Sequence, residues 1–343
     1  MSRQGWSRIG TFIKCPYVVS AKKQGHVQSN RDALDKGTLG HTAQAHLHLI
    51  EGTKLHPVQV NGEWVDDASA FADPLGAMRI QAAHNPGMRE HLPLMEKVFN
   101  GYLEHREHGV GDAYMVEQEV LGILGTCKGV FGLHLVADDQ WDLIAPGDGR
   151  EAPATVKHYD GTIITPHPLN VPGHPSHGWP IYISRRMDLV RSTGSRRHPR
   201  KLVEDHKHKG RINQGKSVKG YRAEDGFVAM EIMAQQRFGA EYDGLMLNLI
   251  CTAPATPGEQ RRVRLPPSAA KAKAWPMTMW YFEQQLAQLE VWSATGVVPL
   301  QSWPRRGLEV GGNCVSVYGA CDLYDHCHNG TRLNIPANGL VTF

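Results

Sequence analysis

The chain has 343 residues, 41% of them apolar and 21% charged, with 37 Lys+Arg against 34 Asp+Glu. That is enough apolar material for one large domain or two small ones, and it excludes a stapled mini-protein and a charge-driven disordered chain. No run of about 18 uncharged apolar residues occurs, and the first eight residues lack an apolar core of signal-peptide length, so a cytoplasmic protein with its six cysteines reduced is expected.

Ser7–Tyr17 opens with a helix-start residue followed by Ile9, Phe12 and Ile13 at helical spacing, and the Cys15-Pro16 pair should end that helix. Residues 39–51 read as a helix with Leu39, Ala43, Leu47 and Ile50 on one side, and Gly37-Thr38-Leu39-Gly40-His41 as its start, with His41 on the first turn. Residues 75–109 are predicted largely helical, interrupted near Asn85-Pro86-Gly87. Two strands follow at 113–124 and 129–137. Residues 145–180 carry seven prolines and read as an irregular excursion with one short strand at Thr162–Thr165. Residues 181–191 and 201–207 read as strands around a turn at 192–200, residues 224–239 as a helix capped by Gly239, residues 242–252 as a buried strand, and residues 277–295 as an amphipathic helix. The tail, 311–330, is a cysteine-rich loop. This order predicts a mixed α/β protein. We expect one domain over 1–343, with an N-terminal helical part (1–110), a sheet core (111–255) and a C-terminal helix and tail (256–343).

The charge is concentrated. Residues 185–222 hold 13 Lys/Arg and only three acids, a local balance of +10, which leaves 24 basic and 31 acidic groups elsewhere. A basic segment on a mildly acidic body fits one polyanion-binding face, although basic runs are often simply solvated loops. The three acids inside this run are Asp188, Glu204 and Asp205. Asp188 lies near the end of one predicted strand, and Asp205 and Lys207 share a face of the next, because positions i and i+2 of a strand do so. Two carboxylates and an ammonium can then converge beside a hard divalent cation, Mg²⁺ or Mn²⁺. His41 offers an imidazole, and Glu117 and Glu119 two acids on one face of a strand. In the tail, Cys314, Cys321 and Cys327 follow a C-x6-C-x5-C spacing, which favours an iron–sulfur cluster over zinc, with Cys15 as the leading fourth ligand. Cys127 and Cys251 sit in apolar strands and read as core.

Taken together, these pieces resemble the RecB-like, iron–sulfur branch of the PD-(D/E)XK nuclease superfamily, which includes CRISPR-associated, AddB-type and phage exonucleases. The resemblance rests on Ser7-x4-Phe12-x2-Cys15-Pro16, Gly37-Thr38-x2-His41, Val116-Glu117, Arg186-Met187-Asp188, Val203-Glu204-Asp205-His206-Lys207 and the cysteine tail, in that order. It implies a restriction-endonuclease-like core with a central mixed sheet flanked by helices. It also implies a metal-dependent DNA exonuclease in which His41, Asp188, Asp205 and the carbonyl of His206 hold Mg²⁺ or Mn²⁺. Lys207 would position the hydrolytic water, Glu117 would assist, and a structural 4Fe-4S cluster would sit on Cys15, Cys314, Cys321 and Cys327. Single-stranded DNA or duplex ends would be gripped through phosphates by Arg191, Arg196, Arg197, Arg200, Lys201, Lys209 and Arg211. No membrane association is expected, and a recombination or repair protein is a conceivable partner.

The chain departs from the family where a Gln-x3-Tyr pair usually follows the lysine strand; here residues 227–236 offer only Glu231 or Gln235 as substitutes. That departure motivates an alternative, a nuclease-fold DNA-binding or assembly protein with weak catalysis. A metal or cluster protein unrelated to nucleic acid is a third reading.

Overall fold

The computed structural model describes residues 11–13, 15–26, 32–60, 62–69, 71–106, 112–146, 150–195, 197–210, 212, 221, 225–266 and 269–304, and a few positions between 315 and 333. It is a mixed α/β protein with a ten-stranded mixed sheet. The chain forms two compact units, each drawn from separate stretches of sequence: Arg31–Val120 with Arg185–Ala272, and Met1–Asn30 with Leu121–Ser184 and Lys273–Phe343. The three consecutive parts expected from the sequence do not coincide with these units.

In the first of these units, helix α2 (Asp32–Thr53) is 22 residues long and carries Asp32 and Asp35 in its first turn, where acids favour a helix N-terminus. Leu39, Ala43 and Leu47 are buried as expected. Yet α2 starts before Gly37, so His41 lies mid-helix rather than on the first turn. Helix α3 (Pro74–His84) begins at Asp73, whose side chain accepts a hydrogen bond from the Gly76 amide at 2.9 Å, and a proline fills its first turn. The expected interruption is a 3-10 segment at Pro86–His91, followed by α4 (Leu92–His105). Met78, Met95 and Val98 from these helices bury the apolar stripe of α2 together with Ile250.

The strands of this unit are ordered β10-β9-β8-β7-β3-β1-β2. They are β1 (Val58–Val60), β2 (Glu63–Val65), β3 (Asp112–Cys127), β7 (Tyr182–Ser195), β8 (His198–Lys209), β9 (Tyr242–Cys251) and β10 (Gln260–Leu265), with α5 (Asp225–Phe238) before β9. Strands β1, β2 and β10 were not anticipated: two are three residues long, and β10 is half charged, so neither pattern nor length announces them. The expected broad turn at 192–200 is instead a tight hairpin, with Ser195 paired to His198. Strand twist favours such two-residue connections, and Gly194, at φ +82°, supplies the bend beside it. Strands β8 and β9 run parallel, joined through α5. Gly239 adopts φ +52° just past α5, as the cap reading anticipated.

In the other unit, residues 11–13 are helical and Cys15 stands at the start of a second helix, α1 (Pro16–Lys23). The Cys-Pro pair is therefore a junction between helices rather than a simple stop, because proline is well suited to a helix's first position. The second half of β3 pairs with β4 (Val130–Leu135) and β6 (Ile163–Pro166), and β6 with β5 (Val156–Lys157), around Ile123, Val136, Ile144 and Ile164. The 145–180 excursion is tied to helix α6 (Ala269–Ala294): the Asn170 amide donates to Gln284 Oε1 at 3.0 Å, and His174 pairs with Glu290 at 2.9 Å. Helix α6 begins earlier than the expected 277 and carries Pro276 within it. The tail cysteines 314 and 321 lie outside the described residues, and Cys15 and Cys327 are half-buried.

Candidate active site

Strand β8 organises the site. Its alternation puts Glu204, His206 and His208 on one face and Asp205, Lys207 and Lys209 on the other. On the first face, the Glu204 carboxylate is fully buried. It takes a 2.8 Å ion pair from Arg191 Nε and a close contact from the Arg262 guanidinium. Burial alone would raise its pKa; the charges of Arg191, His206 and Arg262 outweigh burial and hold it below the ordinary glutamate value. The His206 ring stacks on His48 of α2, 5.5 Å between centroids and 14° from parallel, with Asn248 of β9 at 3.1 Å from its Nδ1. Burial lowers the His206 pKa to about 4 and depresses His48 and His208 as well, disfavouring the charged form of all three imidazoles.

The other face carries the charged chemistry. Lys207 Nζ lies 2.5 Å from Asp205 Oδ2 and 3.5 Å from the carbonyl oxygen of its neighbour His206. The pairing of Leu189 with Glu204, extended by one step, sets Asp188 opposite Asp205. Asp188 Oδ2 accepts the His206 main-chain N–H at 2.9 Å and lies 3.3 Å from His41 Nδ1 of α2. Glu117 of β3 completes the group: ligand atoms of His41, Glu117 and Asp188 all lie within 4.8 Å of one another. Glu117 reaches this place through an unusual backbone, φ +52° in a non-glycine residue, which interrupts the alternation of β3. Glu119, its expected same-face companion, is not part of this group. Arg186 Nε pairs with Glu117 Oε2 at 2.8 Å.

The carboxylates differ in environment. Burial pushes Asp188 up, but His41, Lys207, His206 and the amide hydrogen bond together hold its pKa at about 2. Burial, together with the charge of Asp188, raises Glu117 to about 7 against the opposing Arg186. Asp205 is also raised, by burial first, with Lys207 opposing and Asp188 adding to the rise. Burial pulls Lys207 down, and Asp205 and Asp188 more than compensate, keeping it cationic.

This donor set suits a hard divalent cation: carboxylate oxygens and one imidazole gathered together. His41 Nδ1 and Asp205 Oδ2 are buried without a well-directed hydrogen bond among the described residues, despite the nearby Asp188 and Lys207. His41, Glu117 and Asp188 are the side chains whose ligand atoms lie close enough together to hold one cation, which would satisfy His41 Nδ1. Asp205, opposite Asp188 in the strand register, stands next to them with its carboxylate on Lys207.

The group opens onto a cavity of about 650 Å³ between α2 and the strand residues Glu117, Arg186, Lys207 and Lys209. Among the expected phosphate-gripping groups, Lys209 lines this cavity, with its ammonium 5.3 Å from the Tyr221 ring. Arg197 and Arg200 are exposed around the β7–β8 turn. Arg191 is instead committed to Glu204, and Lys201 is buried with its ammonium 3.5 Å above the Tyr114 ring. Arg196 and Arg211 lie outside the described residues. Sequence reasoning missed His48, His208, Asn248, Arg262 and Gly40. A Cβ on Gly40 would sit 2.1 Å from His208 Nε2, so the missing side chain is what lets β8 lie against α2. The i to i+7 spacing of His41 and His48, and the i to i+2 spacing of His206 and His208, were visible signals.

No protein-family model matches this sequence, and no curated protein matches it at a significant level.

Proposed function

We propose that this protein is a metal-dependent DNA nuclease of the PD-(D/E)XK kind, hydrolysing phosphodiester bonds with two carboxylates and a lysine. The observation that carries this reading is the convergence of Asp188, Asp205, Lys207, His41 and Glu117, drawn from three strands and a helix, behind one cavity that His41, Glu117 and Lys207 line. A bound Mg²⁺ or Mn²⁺ would supply Lewis-acid stabilisation of the phosphoryl oxygens and a more acidic water. Asp188, already ionised and fixed by the His206 amide, gives a preset anionic oxygen. Lys207, cationic and held by Asp205, orients the attacking water and offsets charge building on the phosphate. Arg186 and Lys209 attract the substrate backbone without reading bases.

The 4Fe-4S cluster on Cys15, Cys314, Cys321 and Cys327 belongs to the same proposal, with a structural role; iron and acid-labile sulfide analysis of anaerobically purified protein tests it. The weakly catalytic, DNA-binding alternative is favoured by one observation. Gln235 donates to Glu231 at 3.3 Å on α5, so these two stand-ins for the family's Gln-x3-Tyr pair are engaged with each other. End-labelled single- and double-stranded DNA incubated with Mg²⁺ or Mn²⁺, beside covalently closed circles, decides between them. Metal-stimulated cleavage lost in Asp205→Asn and Lys207→Ala supports the nuclease; full activity in both variants overturns the assignment. DNA retention in EDTA with no metal-stimulated turnover supports the alternative.

A further inference from the structure

The cavity has two unlike walls. The strand side is charged, whereas the α2 side is built from two adjacent rows at four-residue spacing: Ala33, Gly37, His41 and Ala45, and Leu34, Thr38, Thr42 and His46. These rows run roughly 18 Å along the helix at 1.5 Å per residue. The wall offers few directional polar groups, because the Thr38 and Thr42 hydroxyls each donate to the carbonyl four residues earlier, at 3.0 Å. Gly37, one turn from His41, is unexplained by packing. A Cβ there would meet nothing within 4 Å, so the residue leaves open space instead of admitting a neighbouring element. Glycine in a helix interior is otherwise unfavourable. At the far end of the second row, the His46 ring is fixed. Its Nδ1 lies 2.9 Å from the Ala72 carbonyl oxygen, and Phe71 packs edge-on at 6.1 Å.

We propose that this α2 wall is the track of a single unpaired nucleic-acid strand, with Gly37 setting the clearance beside the reacting phosphate and the His46 ring receiving a base. The proposal deepens the nuclease reading and rests on it. Sugars and unstacked bases pack on the uncharged side of small residues and threonine methyls while Arg186 and Lys209 face the phosphates. A paired duplex keeps its base faces inside the stack and cannot present them to such a wall. Because the α2 wall offers few directional donors, with the Gln81 amide beside it, little preference among bases is expected.

Strand binding is measured by fluorescence anisotropy with a labelled oligo-dT of about 12 nucleotides in EDTA, so that the result is independent of hydrolysis. Gly37→Leu fills the open space with a better helix former, so its melting temperature should be no lower than wild type, and its Mn²⁺ affinity by calorimetry should match wild type. Its strand affinity should fall at least ~tenfold, and His46→Ala should also weaken binding, by ~tenfold, the usual effect of losing one stacking ring. Wild-type protein should bind the strand more tightly than a blunt duplex of equal length at the same salt. Equal strand affinity in Gly37→Leu and wild type, or a duplex bound as tightly as the strand, overturns the track. If Gly37→Leu weakens strand binding but wild type shows no metal-dependent cleavage, the track stands and the nuclease reading fails.

Discussion

Three carboxyl groups share the site, yet their environments set them apart at the residue scale. Asp188, with a pKa of about 2, is a permanent anion at neutral pH, whereas Glu117, raised to about 7, is a carboxyl that burial and Asp188 keep partly protonated. The sign of the consequence follows from linkage. A folded-state pKa raised above the unfolded value gives stability that is present below the unfolded carboxylate range and is lost as pH rises through about 7. Metal-free protein should therefore lose thermal stability over that window, Glu117→Gln should flatten the loss, and Mn²⁺ should restore it in wild type. Melting curves across the range check this, and an unchanged pH slope in Glu117→Gln would count against the assigned environment. Lys207 makes the sharper kinetic point: Lys207→Ala removes the only ammonium seen on the Asp205 carboxylate among the described residues. On the proposed nuclease function, metal-dependent cleavage should then drop by roughly 10² to 10⁴, the usual contribution of a positioned proton-handling group.

At the scale of elements, the site depends on β8 being clamped along its Glu204–His206–His208 face. The Glu204 carboxylate ties β8 to β7 through Arg191 and to β10 through Arg262. Removing one partner of a buried charge network leaves the others uncompensated, so Glu204→Ala should cost about 3–5 kcal/mol of stability, measured by urea unfolding. Glu204→Leu differs instructively, since it fills the space but still strands two arginines. The contact of β8 with α2 rests on an absent side chain. Gly40→Ala drives a Cβ into His208 and should cost about 1–3 kcal/mol through overpacking, despite alanine's better helix propensity. Because His41 follows Gly40 directly, the same variant should lower Mn²⁺ affinity; a stable variant with unaltered affinity would show that this approach does not position the metal ligands.

For the whole molecule, the charge distribution controls how partners are met. The basic excess of residues 185–222 divides in the fold: Lys209 and Arg186 face the cavity, Arg197 and Arg200 are exposed, and Arg191 is spent internally. Among the described residues of this segment, Lys209, Arg186, Arg197 and Arg200 are the cations that the proposed function would turn to phosphates. DNA affinity should fall with rising salt with a log–log slope set by those few contacts. Arg197→Ala with Arg200→Ala should shallow that slope, whereas Arg191→Ala should act on stability instead; titrations at several salt concentrations separate the two effects. Among the described residues no helix is long and apolar enough to cross a membrane.

How much of this was legible beforehand depends on range. Local pattern sufficed for the buried row of α2, the break at residue 85, the strands β3, β7, β8 and β9 and the glycine after α5, because side-chain periodicity and backbone preference act within a few residues. The Asp-x-Lys arrangement was visible for the same reason, and with it the resemblance that named His41, Glu117 and Asp188. The short strands β1 and β2 and the charged β10 were not, since they exist only as partners to neighbours already in place. Nor could composition show that Arg191 and Lys201 turn inward, that Glu117 reaches the site through a left-handed backbone, or that Gly40 is bare for the sake of His208. Those outcomes are decided by which surfaces meet when distant segments pack, a matter of volume and charge compensation that no single stretch of chain contains.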